Sequence, residues 1–316
     1  MEEFQNNSRR DFITGMAGLA AVAGLTGIPG LVEAKSDVVK LTILHTNDVH
    51  SHIDPFEDNH PKYPGMGGVA RRAAIIKSIR NQERNVLLFD AGDIFQGTPY
   101  YNMFGGEIEL KLMSKMGYDA ATIGNHDFDN GVGALANQLV NADFPLLNTN
   151  YDFEGTPMYG KSLPYKIFKK EGVKIGVFGV GIQLSGLVDP RLYGSTKYLD
   201  PVNKALEIST YLKERKNCHL VICLSHLGFE YKDDKISDTR LAALCENIDL
   251  IIGGHTHTFL DEPVKIINKK GKSVSVTQVG WAGLRLGRID YYFEKASGEK
   301  LKETSTMKDL NKSSEK

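Results

Sequence analysis

Cysteine is scarce in this sequence, with three in 316 residues, and so few exclude a disulfide-stapled scaffold. Net charge is nearly absent: 38 Lys and Arg stand against 39 Asp and Glu. Without a basic excess the chain lacks the electrostatic footprint for a nucleic-acid polymer, which is not an expected partner. Internal repeats and low-complexity linkers are absent too. What is present is an ordinary globular composition, 41% hydrophobic and 9% aromatic, which excludes a disordered or collagen-like protein. Most of the nine His stand at placed positions, and they mark the candidate chemistry.

The N-terminus reads as an address. Ser8-Arg9-Arg10 precedes an uncharged stretch from Phe12 to Val32, closed by Val32-Glu33-Ala34. A basic start, an apolar middle and a small-residue end form a secretory signal. The paired Arg followed by Phe12 resembles a twin-arginine signal, which implies export of a folded protein to the periplasm. Uncleaved, the stretch is long enough to anchor the chain. Gly15, Gly18, Gly24, Gly27 and Gly30 weaken it as a permanent membrane span. The expected division is a signal over 1–34, one catalytic domain over 38–300 and a polar, frayed tail over 301–316.

Apolar runs and helical spacings alternate from Val38 onward. Strands are expected at Leu41–Leu44, Val86–Phe89, Ala120–Ile123, Tyr165–Phe168, Val173–Val180, Leu220–Leu224 and Ile248–Ile252. Helices are expected at Val69–Ile79, Glu107–Met116, Val202–Lys216 and Asp238–Cys245. Such alternation implies an α/β protein with a mainly parallel sheet. After Glu262 the pattern turns to strands, Val274–Val279 and Arg288–Phe293, and suggests a meander completing a second sheet.

Polar residues collect at the ends of the strands, where open α/β sheets place their sites. The first strand runs into Asn47-Asp48-Val49-His50. On extended backbone, residues i and i+2 point the same way, so Asp48 and His50 can hold one ion together. The second runs into Asp90-Ala91-Gly92-Asp93, whose glycine permits a sharp turn and leaves a carboxylate free to bridge two ions. Then come Gly124-Asn125-His126-Asp127-Phe128-Asp129, Ser225-His226 and Gly254-His255-Thr256-His257. Each piece alone is weak: a lone His is more often structural, and Gly-Asn-His suits a turn. Five in order, each at a strand end, point to a metal site.

Together these motifs resemble the calcineurin-like metallophosphoesterase superfamily. Ile43-Leu44-His45-Thr46-Asn47-Asp48 and Gly124 through Gly131 resemble the catalytic domain of the 5′-nucleotidase family more narrowly. The resemblance implies a four-layer α/β/β/α sandwich of two mixed sheets flanked by helices. It also implies that Asp48, His50 and His257 hold one divalent ion. Asn125, His226 and His255 would hold a second, with Asp93 bridging both. Carboxylate, amide and imidazole donors suit Mn, Zn, Fe or Co. Two ions about 3.5–4 Å apart can clamp both oxygens of an in-line displacement and generate a bridging hydroxide as nucleophile. His126 would stabilise charge on the phosphoryl group or leaving oxygen. Asp129 would orient it, a role compatible with capping a helix over Val132–Val140.

Other signals fail on context. Gly155 through Ser162 matches the P-loop expression, but Pro164 and a strand follow where a helix is required. Gly176, Gly179 and Gly181 lack dinucleotide spacing. Cys218, Cys223 and Cys245 lack metal spacing; a Cys218–Cys245 bridge is open but unrequired. His45, His52, His60 and His219 fit no ligand slot, and Arg71 and Arg72 read as a solvated helix face. Trp281 and Leu284 suit either a docking surface or core. Family members carry a second, C-terminal substrate domain, which this sequence does not show. The expectation is therefore a 5′-nucleotidase catalytic domain acting on a small phosphate ester, with a separate C-terminal-domain protein as partner. The alternatives are a cyclic-nucleotide or nucleotide-sugar hydrolase, an exported thiosulfohydrolase, or a metal-loaded subunit inactive alone.

Overall fold

The computed structural model describes residues 37–311, so the expected signal segment lies outside the described residues. In chain order the strands are β1 (Val38–Thr46), β2 (Val86–Asp90), β3 (Ala120–Ala121), β4 (Tyr151–Asp152), β5 (Tyr165–Lys170), β6 (Val173–Gly181) and β7 (Lys197–Tyr198). They continue with β8 (Leu220–His226), β9 (Leu250–Gly253), β10 (Val264–Ile267), β11 (Ser273–Thr277), β12 (Arg285–Glu294) and β13 (Lys300–Asp309). One sheet has the order β13-β12-β1-β2-β3 and the other β10-β11-β9-β8-β6-β5; β4 and β7 form a small pair. Both large sheets are mixed. Parallel pairs β1–β2–β3 and β6–β8–β9–β11 carry antiparallel edges.

Strand alternation builds four layers. Val39, Leu41 and Ile43 of β1, with Leu87 and Phe89 of β2, face Ile222 and Leu224 of β8 and Ile252 of β9 in one core between the sheets. The intervening Leu44 and Leu88 face outward onto Ile75, Ile76, Leu110 and Met113 of the helices Val69–Gln82 and Glu107–Met116. On the far side Val221, Cys223 and Ile251 meet Ala205, Leu241 and Ala242 of the helices Pro201–Thr210 and Asp238–Leu244. A strand buried on both faces has no polar alternation, which is why β2, β8 and β9 read as continuous apolar runs. Asp200 and Ser237 start the last two helices by accepting the backbone N–H of Asn203 and Arg240. The expected helix Val202–Lys216 ends in a π-helical turn, Tyr211–Arg215.

Three expectations need correction. The meander after Glu262 does not complete one second sheet. Only β10 and β11 join that sheet, whereas β12 crosses back beside β1. The tail is not frayed through its length: Lys300–Asp309 is β13, bonded along β12. Its polar side chains suit a mostly exposed edge strand held by its backbone. Arg72 is not solvated. It shares the inward face of its helix with Ile75 and Ile76 and is 4% exposed. Arg71 turns to the carbonyls of Gly65 and Gly67, at 3.0 and 2.8 Å. All three cysteines are free and buried. Among the described residues, no helix is long and apolar enough to cross a membrane.

Candidate metal centre

Strand ends of both sheets converge on one point. Two groups of side chains that could hold an ion form there: Asp48, His50 and His257, and Asp93, His226 and His255. Within each group the ligand atoms lie within 4.8 Å of one another. Asp93 serves both groups. Its Oδ2 is 3.1 Å from His226 Nε2 and 3.7 Å from His50 Nε2. Asn125 Oδ1 lies 2.8 Å from His255 Nδ1 and so joins the second group. All seven residues expected as ligands from the sequence are therefore together.

The backbone that presents them differs from the expectation. Asp48 and His50 lie beyond β1, and His255 and His257 beyond β9. None of the four is extended: their φ angles are 49°, 50°, 72° and 51°. Asp93 joins them at 55°. A left-handed conformation is unfavourable for residues with a Cβ and persists where surrounding structure enforces it, commonly at functional sites. Here the enforcement is visible. Asp48 N donates to Gly92 O at 2.9 Å and His50 N to Asp93 O at 3.0 Å, tying the two loops together. Asp48 accepts the His255 N–H at 2.9 Å, which locks the last loop to the first.

Asp127, which the sequence offered only as a motif letter, braces this arrangement. Its carboxylate accepts backbone N–H groups from Asp93, Ile94, Phe95 and Gly124, at 3.2, 2.9, 3.2 and 2.7 Å. Gly124 leaves no room for a side chain, since a methyl there would overlap the Asp93 carboxylate and its backbone nitrogen. Gly124→Ala is therefore expected to displace Asp93 and to destabilise the fold by ~1–3 kcal/mol through overpacking. Thermal unfolding together with metal content checks this; an unchanged metal content would show that the loop can move aside.

The electrostatics suit cations. Asp48, Asp93 and His226 are at most 1% exposed, and His50 is 5% exposed. Burial disfavours charge on both Asp93 and His226, yet their mutual attraction prevails. Asp93 is held well below the usual carboxylate range and His226 is lifted to about 10. Burial pushes His255 down to about 4, which keeps its imidazole neutral. His226 Nδ1 faces the Ala91 carbonyl at 2.7 Å. That bond fixes a proton on Nδ1 and directs Nε2 to the centre, where a metal ion would replace the Nε2 proton. This Nε2 is buried and lies 3.1 Å from Asp93 Oδ2. His50 Nε2 and His257 Nε2 approach to 3.0 Å, close enough for one ion to take both. Converging imidazole nitrogens beside two buried carboxylates fit divalent ions.

Beside the ligands stands a dyad. His126 N donates to Asp93 Oδ1 at 2.8 Å, and its Nδ1 lies 2.9 Å from Asp129 Oδ2. That contact, aided by neighbouring carboxylates against partial burial, raises the His126 pKa. Asp129 does not cap the helix Val132–Gln138, whose N-cap is Gly131 with no side-chain cap bond; it ends the short 3-10 turn His126–Phe128 instead. His45 is a core residue whose two ring nitrogens find no hydrogen-bond partner. Its ring packs on Gly287, and burial pushes it down to about 3. The stretch Gly155–Ser162 forms turns ahead of β5. Leu284 is core, whereas Trp281 lies parallel to the His257 ring, with centroids 5.6 Å apart at 5°. The sequence offered Trp281 only as docking surface or core, and its partner on another loop was not readable.

Residues 41–259 match the calcineurin-like phosphoesterase family, and the chain belongs to that family. It is 34% identical over 277 residues to a snake venom 5′-nucleotidase of Crotalus adamanteus, across 81% of this chain and 45% of that one. The crystal structure of a 5′-nucleotidase precursor from Thermus thermophilus superposes with a TM-score of 0.79 at 30% identity, covering 87% of this chain and 55% of the other. The calcineurin-like phosphoesterase YfkN of Bacillus subtilis gives 0.72 at 28% identity, covering 86% and 91%. This chain spans about half the length of the curated 5′-nucleotidases it matches.

Proposed function

We propose that this chain is a metal-dependent phosphoric ester hydrolase acting on nucleoside 5′-monophosphates. The observation that carries the reading is Asp93, placed between two ligand groups and bonded to the backbone of His126. Asp48, His50 and His257 would hold one ion, Asn125, His226 and His255 the other, with Asp93 shared. The donor set suits Mn, Zn, Fe or Co. When bound, the pair supplies Lewis-acid charge and an activated water. The chain's own residues do the rest. Asp48 and Asp93 balance the cationic charge, and His226 is oriented by the Ala91 carbonyl. His126, held by Asp129, presents Nε2 to the phosphoryl or leaving oxygen and can donate a proton there.

The substrate class is supported by the names of the relatives, which are 5′-nucleotidases. Export through the twin-arginine route to the periplasm is supported by Arg9-Arg10 and the stretch that follows. A further domain acting with this one, as a partner chain or otherwise, is supported by the length of those relatives beyond the matched part. A panel of nucleoside monophosphates, sugar nucleotides, cyclic nucleotides, thiosulfate esters and simple phosphate esters tests the reading. Nucleoside monophosphates are expected to give the highest kcat/KM with metal and none after chelation. A preference for any other class would overturn the substrate assignment, and activity surviving chelation would overturn the metal assignment.

A further inference from the structure

Beneath the loop of Asp48 and His50 lie two buried charges outside the ligand set. Arg72, on the helix Val69–Gln82, is 4% exposed, and Glu109, on the helix Glu107–Met116, is 5% exposed. Charged side chains this deep are rare unless paired. Glu109 Oε1 accepts the Ser51 hydroxyl at 2.5 Å. Its other oxygen, Oε2, and Arg72 Nε are buried and have no hydrogen-bond partner among the described residues. Both residues line one cavity, shared with Val49, Ser51 and Ile94, with about 20 Å³ open to the centre of a water molecule. A single water needs ~10–15 Å³ by that measure and at least two polar partners, so one fits.

The two charges reach the ligands from below. Ser51 directly follows His50, is 1% exposed and has φ 58°. With Asp48 and His50 it is left-handed, a conformation that surrounding contacts must enforce in residues with a Cβ. Ser51 N donates to Ile94 O at 2.9 Å, and Thr98 Oγ1 donates to Ser51 O at 2.9 Å. The Glu109 contact adds the hydroxyl, so nitrogen, carbonyl and side chain of Ser51 are all held. The Arg72 guanidinium lies against Gly283, where an added methyl would overlap its Nη1. The neighbouring Ala282 N donates to Asp48 O at 2.7 Å. Glu109 thus holds the chain just after His50, and Arg72 packs on the loop bonded to Asp48.

We propose that Glu109 and Arg72, bridged by one water, are positioning residues that set the Asp48–His50 loop for its ion. The inference rests on the two-ion reading above and adds an asymmetry. The brace serves the group of Asp48, His50 and His257; Asn125, His226 and His255 line no part of the cavity. The water accepts from Arg72 Nε and donates to Glu109 Oε2, so the two buried charges compensate each other through it.

Calorimetric titration of the metal-free protein with Mn(II) reads the two ion sites separately. Ser51→Ala and Glu109→Ala are each expected to weaken one site by about 10–100-fold, the usual loss when an orienting partner is removed, and to spare the other. Glu109→Gln, whose amide oxygen can still accept from Ser51, is expected to keep both affinities. The charge bridge is read without metal. Arg72→Met and Glu109→Gln each leave one buried charge alone and should lower the Tm of the metal-free protein by on the order of 10 °C, whereas the double variant should recover most of that loss. A crystal structure should show one ordered water joining Arg72 Nε and Glu109 Oε2. Equal weakening of both Mn(II) sites, or of neither, in Ser51→Ala and Glu109→Ala would overturn the positioning role, as would a loss in Glu109→Gln equal to that in Glu109→Ala. Additive Tm losses or a dry cavity would overturn the bridge. A wild-type protein that takes up no Mn(II) while the Arg72–Glu109 coupling holds would overturn the two-ion reading and leave the bridge as a structural charge pair.

Discussion

Asp93→Ala is expected to leave a folded protein that holds neither ion and hydrolyses phosphate esters at least ~10³-fold more slowly, the equivalent of several kcal/mol of lost charge stabilisation. The reason is geometric. Asp93 Oδ2 approaches one imidazole of each ligand group, so its removal breaks both at once. The electrostatic consequence is equally direct. His226 is buried, and its raised pKa is opposed by burial and sustained chiefly by Asp93. Without that carboxylate a cation at this position has lost its main counter-charge. Metal content by elemental analysis and initial rates at saturating metal check the prediction. Asp93→Asn, nearly isosteric, separates charge from shape; near-normal hydrolysis in either variant would overturn the bridging assignment.

His126→Ala should behave differently. The metal content is expected to stay at two ions per chain while kcat falls ~10²–10⁴-fold, the usual range for a positioned acid. His126 offers its backbone N–H, not its ring, to Asp93, and alanine keeps that bond. Asp129→Asn gives the companion result in pH. The Asp129 contact is the largest cause of the raised His126 pKa, so His126 stays protonated to higher pH than an ordinary imidazole. A group that must donate a proton is active below its pKa and loses activity as pH rises through it. Removing the Asp129 charge lowers that pKa, so the alkaline limb of kcat should move to lower pH. A limb that does not move would sever Asp129 from the chemistry, and metal loss in His126→Ala would place His126 among the ligands.

Much of the centre was legible because its donors sit in short motifs. Asp48 and His50, or His255 and His257, are two residues apart, and a spacing of that kind survives a wrong expectation about the backbone. These pairs converge through left-handed turns beyond the strands, not through strand alternation. Residue type only inclines Asp and His toward positive φ; the bonds that enforce it come from loops distant in the chain, such as Asp48 N to Gly92 O and His255 N to Asp48. Asp127 went unnoticed for the same cause: its four backbone partners lie on two different loops.

The fold divides similarly. The apolar runs that became β2, β8 and β9 carry no polar alternation, and that alone specified strands buried on both faces. Strand partners are another matter. Burial preference says that a segment must be covered, not which neighbour covers it. Thus β12 returned to β1 from the far end of the chain, and the polar segment 300–309 took its order from β12's free edge.

The sequence by itself determined the family, the donor types and the near-neutral surface, because each is a property of residue identity and short spacing. Tertiary structure alone decided that one carboxylate stands between two ligand groups and that Arg72 is buried. It also decided that the single tryptophan stacks on His257, a metal-ligand candidate. Those facts depend on distances between segments far apart in the chain, which only the packed molecule sets.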